Sequence, residues 1–256
     1  MMILQNKIVL ITGGASGIGQ ACAQTYARQG ATVAVIDKDK PALQRLEQQM
    51  GTPHIFLEAD LNSGPAIEQA IDTILQKYGR LNAIHNNAGV ASPSKPLHDT
   101  TEEEWELVMN VNVRGIYYTT RYGIAALKAS RGCILNTSSM VGEIGQDNHA
   151  AYAGSKGAVN ALTKAMALDY AADGIRVNAV APAGVWTPML RQWSKEQPEP
   201  ARITQYLDNI HALGYCPEAD EIADVCAFLL SEQARFVTGC IMPVSGGAEL
   251  GYKHTL

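Results

Sequence analysis

The segment at residues 7–19 reads KIVLITGGASGIG and decides how the first part of the chain folds. Residues 7–11 form an apolar run of strand length, and the glycine-rich remainder predicts a tight turn. Residues 20–29 follow with a helical pattern, and a second apolar run at 31–36 ends at Asp37. Strand, glycine turn, helix, strand and acid, in that order, are typical of a dinucleotide-binding βαβ unit.

Composition and length indicate one large α/β domain. The chain has 256 residues, of which 46% are hydrophobic and 18% are charged, and this is enough for a continuous buried sheet. The formal net charge is −5, and no basic patch predicts a nucleic-acid partner. No apolar run reaches the roughly 20 residues of a membrane span. No signal-peptide core is recognisable either, so we expect a cytoplasmic protein without a membrane partner.

The cysteine and histidine spacings predict neither a disulfide framework nor a metal site. Five cysteines, at positions 22, 133, 216, 226 and 240, form no C-x-x-C pair. Six histidines form no H-x-x-x-H pair. From spacing alone we therefore expect buried or unreactive thiols and no metal.

Apolar runs of strand length recur along the whole chain and alternate with helical patterns. They lie at 7–11, 32–36, 54–57, 83–85, 133–137, 176–181 and 240–243. This alternation predicts a Rossmann-type, doubly wound parallel sheet of seven strands in a single domain spanning 1–256. Ligands of such a sheet bind beyond the carboxyl ends of its strands.

The segment at about 188–215 is too long for an ordinary connection between two strands. A Pro198-Glu199-Pro200 break and an amphipathic stretch at 203–213 predict short helices. We interpret the segment as a mobile lid over the substrate. A variable surface insertion is the alternative.

Tyr152 and Lys156 are four residues apart in a predicted helix, so their side chains share a face. A nearby ammonium group favours ionisation of the phenol, whose ordinary pKa is about 10. Such a tyrosine can act as a general base. The pair is commonplace by itself, and its interpretation depends on the motifs around it.

Those motifs resemble the short-chain dehydrogenase/reductase family over essentially the whole chain. Residues 12–19 match its T-G-x-x-x-G-x-G motif, and residues 86–89 match its N-N-A-G motif. The positions that match the catalytic tetrad of the family are Asn112, Ser139, Tyr152 and Lys156.

The resemblance also implies the cofactor site. Gly13, Gly17 and Gly19 let the backbone approach the pyrophosphate, and Asp37 accepts the ribose hydroxyls and repels a 2′-phosphate, so that NAD is favoured over NADP. Lys38 weakens this preference slightly. Further positions expected to contact the cofactor are Ser16, Ile18, Asp60, Leu61, Asn87, Ala88, Gly89, Tyr152, Lys156, Pro182, Val185 and Thr187.

One position near the nicotinamide departs from the family pattern. The family usually has glycine directly after the proline that corresponds to Pro182, whereas this chain has Ala183 and then Gly184. We therefore expect the local backbone near the nicotinamide to depart from the family geometry.

The implied mechanism is hydride transfer from an alcohol. Ser139 would hold the substrate oxygen against Tyr152, which removes its proton. Lys156 would lower the pKa of Tyr152 and bind the nicotinamide ribose. Asn112, in a helix predicted at 105–128, would fix a water that relays protons from Lys156.

Three stretches, at 138–146, 185–188 and 246–252, are similar to the L-fucose dehydrogenase branch of the family, which includes an enzyme also classed as a 17β-hydroxysteroid dehydrogenase. This similarity implies a small polar substrate, a sugar or polyol, contacted by Gln146, Trp186, Trp193 and Tyr252. For Gln146 the alternative is a loop-capping amide, and for Tyr252 it is a packing aromatic.

Two other functions are compatible with the sequence. One is a reductase of a ketoacyl thioester or ketosteroid, which would normally use NADPH and an Arg or Lys that binds its phosphate. The other is an inactive NAD-sensing module, against which the intact tetrad argues. By resemblance we also expect a homotetramer, assembled through helices at 105–128 and 150–172, the second of which is rich in alanine.

Overall fold

A seven-stranded parallel sheet organises the residues that the structure, a computed structural model, describes: 2–91, 93–196 and 199–251. The order across the sheet is β3-β2-β1-β4-β5-β6-β7, and every neighbouring pair is parallel. The strands are β1 (Ile8–Thr12), β2 (Thr32–Asp37), β3 (Ile55–Glu58), β4 (Ala83–Asn86), β5 (Cys133–Thr137), β6 (Arg176–Pro182) and β7 (Ile241–Val244). The predicted fold class is confirmed, and each predicted strand end lies within one residue of the observed end.

Helices cover both faces of the sheet. They are α1 (Gly17–Arg28), α2 (Lys40–Met50), α3 (Gly64–Tyr78), α4 (Glu102–Met109), α5 (Gly115–Ser130), α6 (Ala150–Tyr170), α7 (Pro188–Glu196), α8 (Pro200–Ile210) and α9 (Ala219–Leu230). None in the described part of the chain has the length and apolarity needed to cross a bilayer.

The alternation of side chains along β1 divides the interior into two cores. Val9 and Ile11 belong to the α1/α9 core, named for the helices that pack on that face. Ile8 and Leu10 point the other way into a core that contains residues of α3 and α5. Because every β1 residue is buried, the strand reads as a continuous apolar run.

The helix predicted at 105–128 is longer and is interrupted. It begins with α4, which starts at a capping box between Thr101 and Glu104. A π-helical turn, Asn110–Arg114, then separates α4 from α5. Such turns shift the backbone hydrogen bonds by one residue and are frequent at functional sites.

The segment at 188–215 contains two short helices, α7 and α8, where short helices were predicted. Its root is close to the strand end where the sequence departs from the family pattern. A Cβ atom on Gly184 would lie 3.4 Å from both His211 Cε1 and Leu207 Cδ2. The displaced glycine therefore lies next to the end of α8, where a Cβ atom would make an ordinary van der Waals contact.

Candidate active site

The turn between β1 and α1 depends on glycine for space and for backbone conformation. Gly13 and Gly17 have φ values of +62° and +52°, which L side chains rarely adopt. A Cβ on Gly13 would lie 2.8 Å from Ala88 Cα, and one on Gly19 would lie 2.0 Å from the Gly13 carbonyl oxygen. The turn leaves a cradle of backbone amides at the start of α1, and such a helix terminus suits a phosphate.

Asn87 fastens this turn to the end of β4. Its side-chain amide donates to the carbonyl oxygens of Thr12 and Gly13, each at 3.1 Å. Thr12 Oγ1 in turn accepts from the backbone N–H groups of Asn87 and Ala88 at 3.2 Å. The ends of two adjacent strands are thus held as one unit at the point where the winding of the sheet reverses.

Asp37, at the end of β2, is half-buried beside the same turn. Its Oδ2 accepts from the Ala15 N–H at 3.0 Å, and its Oδ1 accepts from the Asp39 N–H at 3.1 Å. Each carboxylate oxygen keeps further acceptor capacity. The carboxylate is therefore oriented by backbone donors and still able to accept hydrogen bonds from a ligand.

Asn112 lies in the π-helical turn and ties it to two other elements. Its Oδ1 accepts from the Val90 N–H at 2.8 Å, and its Nδ2 donates to the Val90 carbonyl oxygen at 2.9 Å and to Ser155 Oγ at 3.0 Å. Both amide donors are used, and Oδ1 retains one lone pair. These bonds account for the local position of the turn between β4 and α6.

Ser139, Tyr152 and Lys156 converge next to the end of β5. The Ser139 hydroxyl donates to the Pro182 carbonyl oxygen at 3.4 Å and interacts with the Tyr152 phenol closely enough to lower the pKa of that phenol. Lys156 is 3% exposed, donates from Nζ to the Thr137 carbonyl oxygen at 2.7 Å, and lies 5.7 Å from the centroid of the Tyr152 ring. The spacing of four on α6 therefore places both side chains on one face, as the sequence indicated.

Burial opposes charge on both groups. It raises the pKa of Tyr152, although the hydrogen bond with Ser139 lowers it, and it lowers the pKa of Lys156 from 10.5 to about 8. In the protein alone the phenol is therefore protonated near neutral pH. Added positive charge beside it is needed before it can act as a base.

Gly89 controls the space between the ammonium group and Asn112. A Cβ at this position would lie 3.3 Å from Lys156 Nζ and 3.4 Å from Asn112 Oδ1. Both are tight contacts. Glycine thus keeps these two polar atoms accessible from the strand end.

A cleft of about 400 Å³ runs along the carboxyl ends of the central strands. Most of the sequence-predicted positions line it: Gly13, Ser16, Gly17, Ile18, Gly19, Asp37, Asp60, Leu61, Asn87, Ala88, Gly89, Ser139, Tyr152, Lys156, Pro182 and Thr187. Val185 is 5% exposed and packs in the α1/α9 core, so a contact with a ligand would come from its backbone.

The residues predicted to contact the substrate are less closely grouped. Gln146 is exposed on its loop. The Trp186 ring packs against the Arg191 guanidinium at 5.0 Å, and its backbone N–H donates to the Pro217 carbonyl oxygen at 2.8 Å. The side chain of Trp193 and the whole of Tyr252 lie outside the described residues.

Several residues of the site were not identified from the sequence. Thr137 contributes its carbonyl oxygen to Lys156, and Ser155 contributes its hydroxyl to Asn112. The apolar wall of the cleft beyond the glycine turn includes Val90, Ala91, Pro188 and Met189. The position of Thr137 at the end of β5 could have indicated a site residue. Its contribution is a backbone carbonyl oxygen, however, and any residue type supplies one.

The fold and this cleft define a dinucleotide-binding oxidoreductase of the doubly wound class. A family model described as enoyl-(acyl carrier protein) reductase matches residues 13–249. Among similar proteins, L-fucose dehydrogenase from Bos taurus is 36% identical over 247 residues, covering 96% of this chain and 90% of its own length. Cyclopentanol dehydrogenase from Comamonas sp. is 40% identical over 249 residues, covering 95% of this chain and 97% of its own. The chain belongs to the short-chain dehydrogenase/reductase family.

A solved structure agrees with this assignment. The 3-ketoacyl-(acyl-carrier-protein) reductase from Brucella melitensis, complexed with NADH, superposes with a TM-score of 0.90 at 31% identity and covers 96% of this chain and 99% of its own. The chain is therefore an NAD(H)-dependent oxidoreductase that acts on CH–OH groups.

The buried ammonium group of Lys156 should make stability depend on pH. The unfolded chain holds this proton up to pH 10.5, whereas the folded chain releases it near pH 8. Between these values the unfolded state binds more protons, so Lys156 makes the free energy of unfolding rise with pH. Lys156→Met removes this pH-dependent part of the free energy of unfolding. The variant also loses the hydrogen bond to Thr137, and that loss changes the free energy of unfolding by the same amount at every pH.

We therefore expect the stability of Lys156→Met relative to wild type to be greatest below pH 8 and to decline toward pH 10.5. Urea titrations without cofactor at several pH values across this window measure the difference. A difference that stays constant with pH would contradict the burial of the ammonium group.

Proposed function

We propose that the protein oxidises a secondary or anomeric hydroxyl of a small polar substrate, a sugar or polyol of the L-fucose type, with NAD. The observation that carries the proposal is the placement of two sets of groups in one cleft. Ser139, Tyr152 and Lys156 meet at one end, and the carboxylate of Asp37 stands beside the glycine turn at the other. NAD, when bound, supplies the hydride acceptor.

Ser139 and Tyr152 act on the substrate oxygen. Both side chains line the cleft, and Ser139 interacts with the phenol. A substrate hydroxyl placed between them would be held by Ser139 and would give its proton to Tyr152. Because burial raises the pKa of Tyr152, its role as base requires the positive charge of Lys156 together with that of the oxidised nicotinamide.

Lys156 and Asn112 form the path by which that proton leaves. One donor of Nζ is bound to Thr137, and the remaining donors would hold a ribose hydroxyl and a water. Asn112 offers the remaining lone pair of Oδ1, since its other bonds go to Val90 and Ser155. The water that relays protons would be held there.

The rest of the cleft fits the cofactor. A side chain on Gly13 or Gly19 would fill the amide cradle, which supports a bound pyrophosphate. Asp37 would take the ribose hydroxyls, and the positions of Asp60 and Leu61 in the cleft wall support contact with adenine. Thr187, together with the backbone near Pro182 and Val185, would hold the nicotinamide carboxamide.

The helices α7 and α8 would close over the substrate. Thr187 Oγ1 accepts from the Leu190 N–H at 3.2 Å and so begins α7. A Cβ on Gly17 would lie 3.2 Å from Thr187 Cγ2, which places the glycine turn against the root of this lid. Arg191 also pairs with Glu218 and packs on Trp186, and these contacts anchor the start of the lid to the body of the protein.

A second candidate is an alicyclic secondary alcohol. Val90, Ala91, Pro188 and Met189 give the cleft an apolar wall. The resemblance to cyclopentanol dehydrogenase, at 40% identity, supports the same class. The polar candidate is supported by L-fucose dehydrogenase at 36% identity and by Gln146, whose exposed loop would have to close on the substrate.

We also propose a homotetramer in the cytoplasm. Leu168 on α6 is 82% exposed and Tyr117 on α5 is 52% exposed, and the outward face of α6 carries Ala161 and Ala165. Small side chains with an exposed leucine suit a close helix contact between subunits. All five cysteines are free, which favours a reducing compartment.

Tyr152→Phe should abolish turnover and leave NAD affinity nearly unchanged, because the phenol acts on the substrate proton. The expected loss is about 10² to 10⁴ in kcat. Initial rates and an NADH fluorescence titration measure the two effects. Tyr170→Phe, on the same helix but outside the cleft, is the matched control, and Lys156→Ala should impair both properties. Retention of more than about a hundredth of wild-type turnover would exclude Tyr152 as general base.

Cofactor preference tests the role of Asp37. We expect kcat/KM to be much higher with NAD than with NADP, since the carboxylate repels a 2′-phosphate. Asp37→Ser should narrow the gap by improving the NADP value. Asp37→Asn, which keeps the size of the side chain, separates charge from packing. Equal wild-type values for both cofactors would disprove this role.

The substrate class is decided by NADH formation at saturating NAD with L-fucose, D-arabinose, L-galactose, cyclopentanol and estradiol compared directly. We expect the aldoses to be oxidised and the steroid to be a poor substrate, because matched polar groups reject analogues without hydroxyls. Activity confined to cyclopentanol would select the alicyclic class. No oxidation of any alcohol, with NADH binding intact, would favour the sensing module.

A further inference from the structure

Four polar side chains meet inside the otherwise aliphatic α1/α9 core. Cys22 and Tyr26 lie on α1, His85 lies on β4, and Cys226 lies on α9. All four are 0% exposed. None of them contributes to the proposed chemistry of the cleft.

Their donor atoms converge on one point. The two sulfur atoms and a ring nitrogen of His85 all lie within 4.8 Å of one another. Tyr26 Oη is 2.9 Å from His85 Nδ1, so the phenol reaches the same group of atoms. The set comprises two sulfurs, one nitrogen and one oxygen.

The orientation of the imidazole is fixed from the other side. His85 Nε2 is 2.9 Å from Thr137 Oγ1 on the neighbouring strand β5. Nδ1 is therefore directed toward α1. A hydrogen bond that fixes the second ring nitrogen is the usual support of a metal-binding histidine.

We propose that Cys22, Cys226 and His85 form a structural site for a thiophilic divalent cation, zinc in the first instance, with Tyr26 Oη as the fourth donor. On binding, Zn²⁺ displaces one proton from each thiol and forms two metal–sulfur bonds. Two thiolates and one Zn²⁺ sum to zero charge, so the complex suits a core without water. No electron transfer is involved.

The spacing and the donor types agree with tetrahedral zinc. Bonds of about 2.0 to 2.3 Å separate the ligand atoms by roughly 3.3 to 3.8 Å, so a contraction of about 1 Å completes the site. The thiolate is the form that binds metal.

The burial of the cluster determines how the site must be loaded. With all four side chains at 0% exposure, an ion enters before α1 and α9 close on each other. Binding is then coupled to folding, and the metal should raise the thermal unfolding midpoint. Loading is therefore tested by refolding.

The full-length chain is unfolded in urea with a phosphine reductant and refolded with Zn²⁺ or Co²⁺, and excess metal is removed on a weak chelating resin. We expect roughly one zinc per chain by elemental analysis. With cobalt we expect thiolate charge-transfer absorption in the near ultraviolet and strong visible bands of a tetrahedral ion. The zinc-loaded protein should also unfold at a higher temperature than protein refolded with a chelator.

Cys226→Ser should reduce bound metal to less than about one tenth of the wild-type value. Cys133→Ser is the matched control: Cys133 lies in the same core, is 3% exposed, and donates to the Leu230 carbonyl oxygen at 3.7 Å. This control should retain the metal. Wild type without cobalt–thiolate bands, or Cys226→Ser with unchanged metal content, would overturn the proposal. If Cys226→Ser does not fold, the wild-type spectrum and zinc content decide alone.

Discussion

The ammonium group of Lys156 is held against the carbonyl oxygen of Thr137, where β5 ends. This buried hydrogen bond fastens α6 to the sheet and sets the position of Tyr152, one helical turn away. Burial lowers the pKa of Lys156 and raises the pKa of Tyr152. Lys156 therefore loses its charge at a lower pH than an ordinary lysine, whereas Tyr152 needs a nearby positive charge to act as a base. The chemistry of the site consequently depends on the charge that a ligand brings.

The strands could be predicted from sequence because burial on both faces makes each one a short apolar run between polar or glycine-rich segments. The helix around Asn112 could be predicted only as a helix. Its π-helical turn is held in place by hydrogen bonds from Asn112 to Val90 and Ser155, and these residues become neighbours only after folding. The apolar periodicity of a helix does not record such distant partners.

The same distinction applies to the clusters of functional groups. Motif residues such as Gly13 and Asp37 are close to the turn they build, so a local pattern reveals them. Cys22, His85 and Cys226 come from three separate parts of the chain and show no ligand spacing, although the fold brings them within 4.8 Å. Gly184 is an intermediate case: the sequence showed a displaced glycine, and only the structure shows that it lies next to Leu207 and His211.

The packing of α1 against α9 also bears on how the chain is made. The first helix packs against α9, which is distant in the sequence, and β1 pairs with β4 as well as with β2. Contacts between such distant segments are slow to form and cannot form on a partly synthesised chain. During translation the side of α1 that packs on α9 stays exposed until α9 has been synthesised, so the α1/α9 core matures late and depends on protection from aggregation until then.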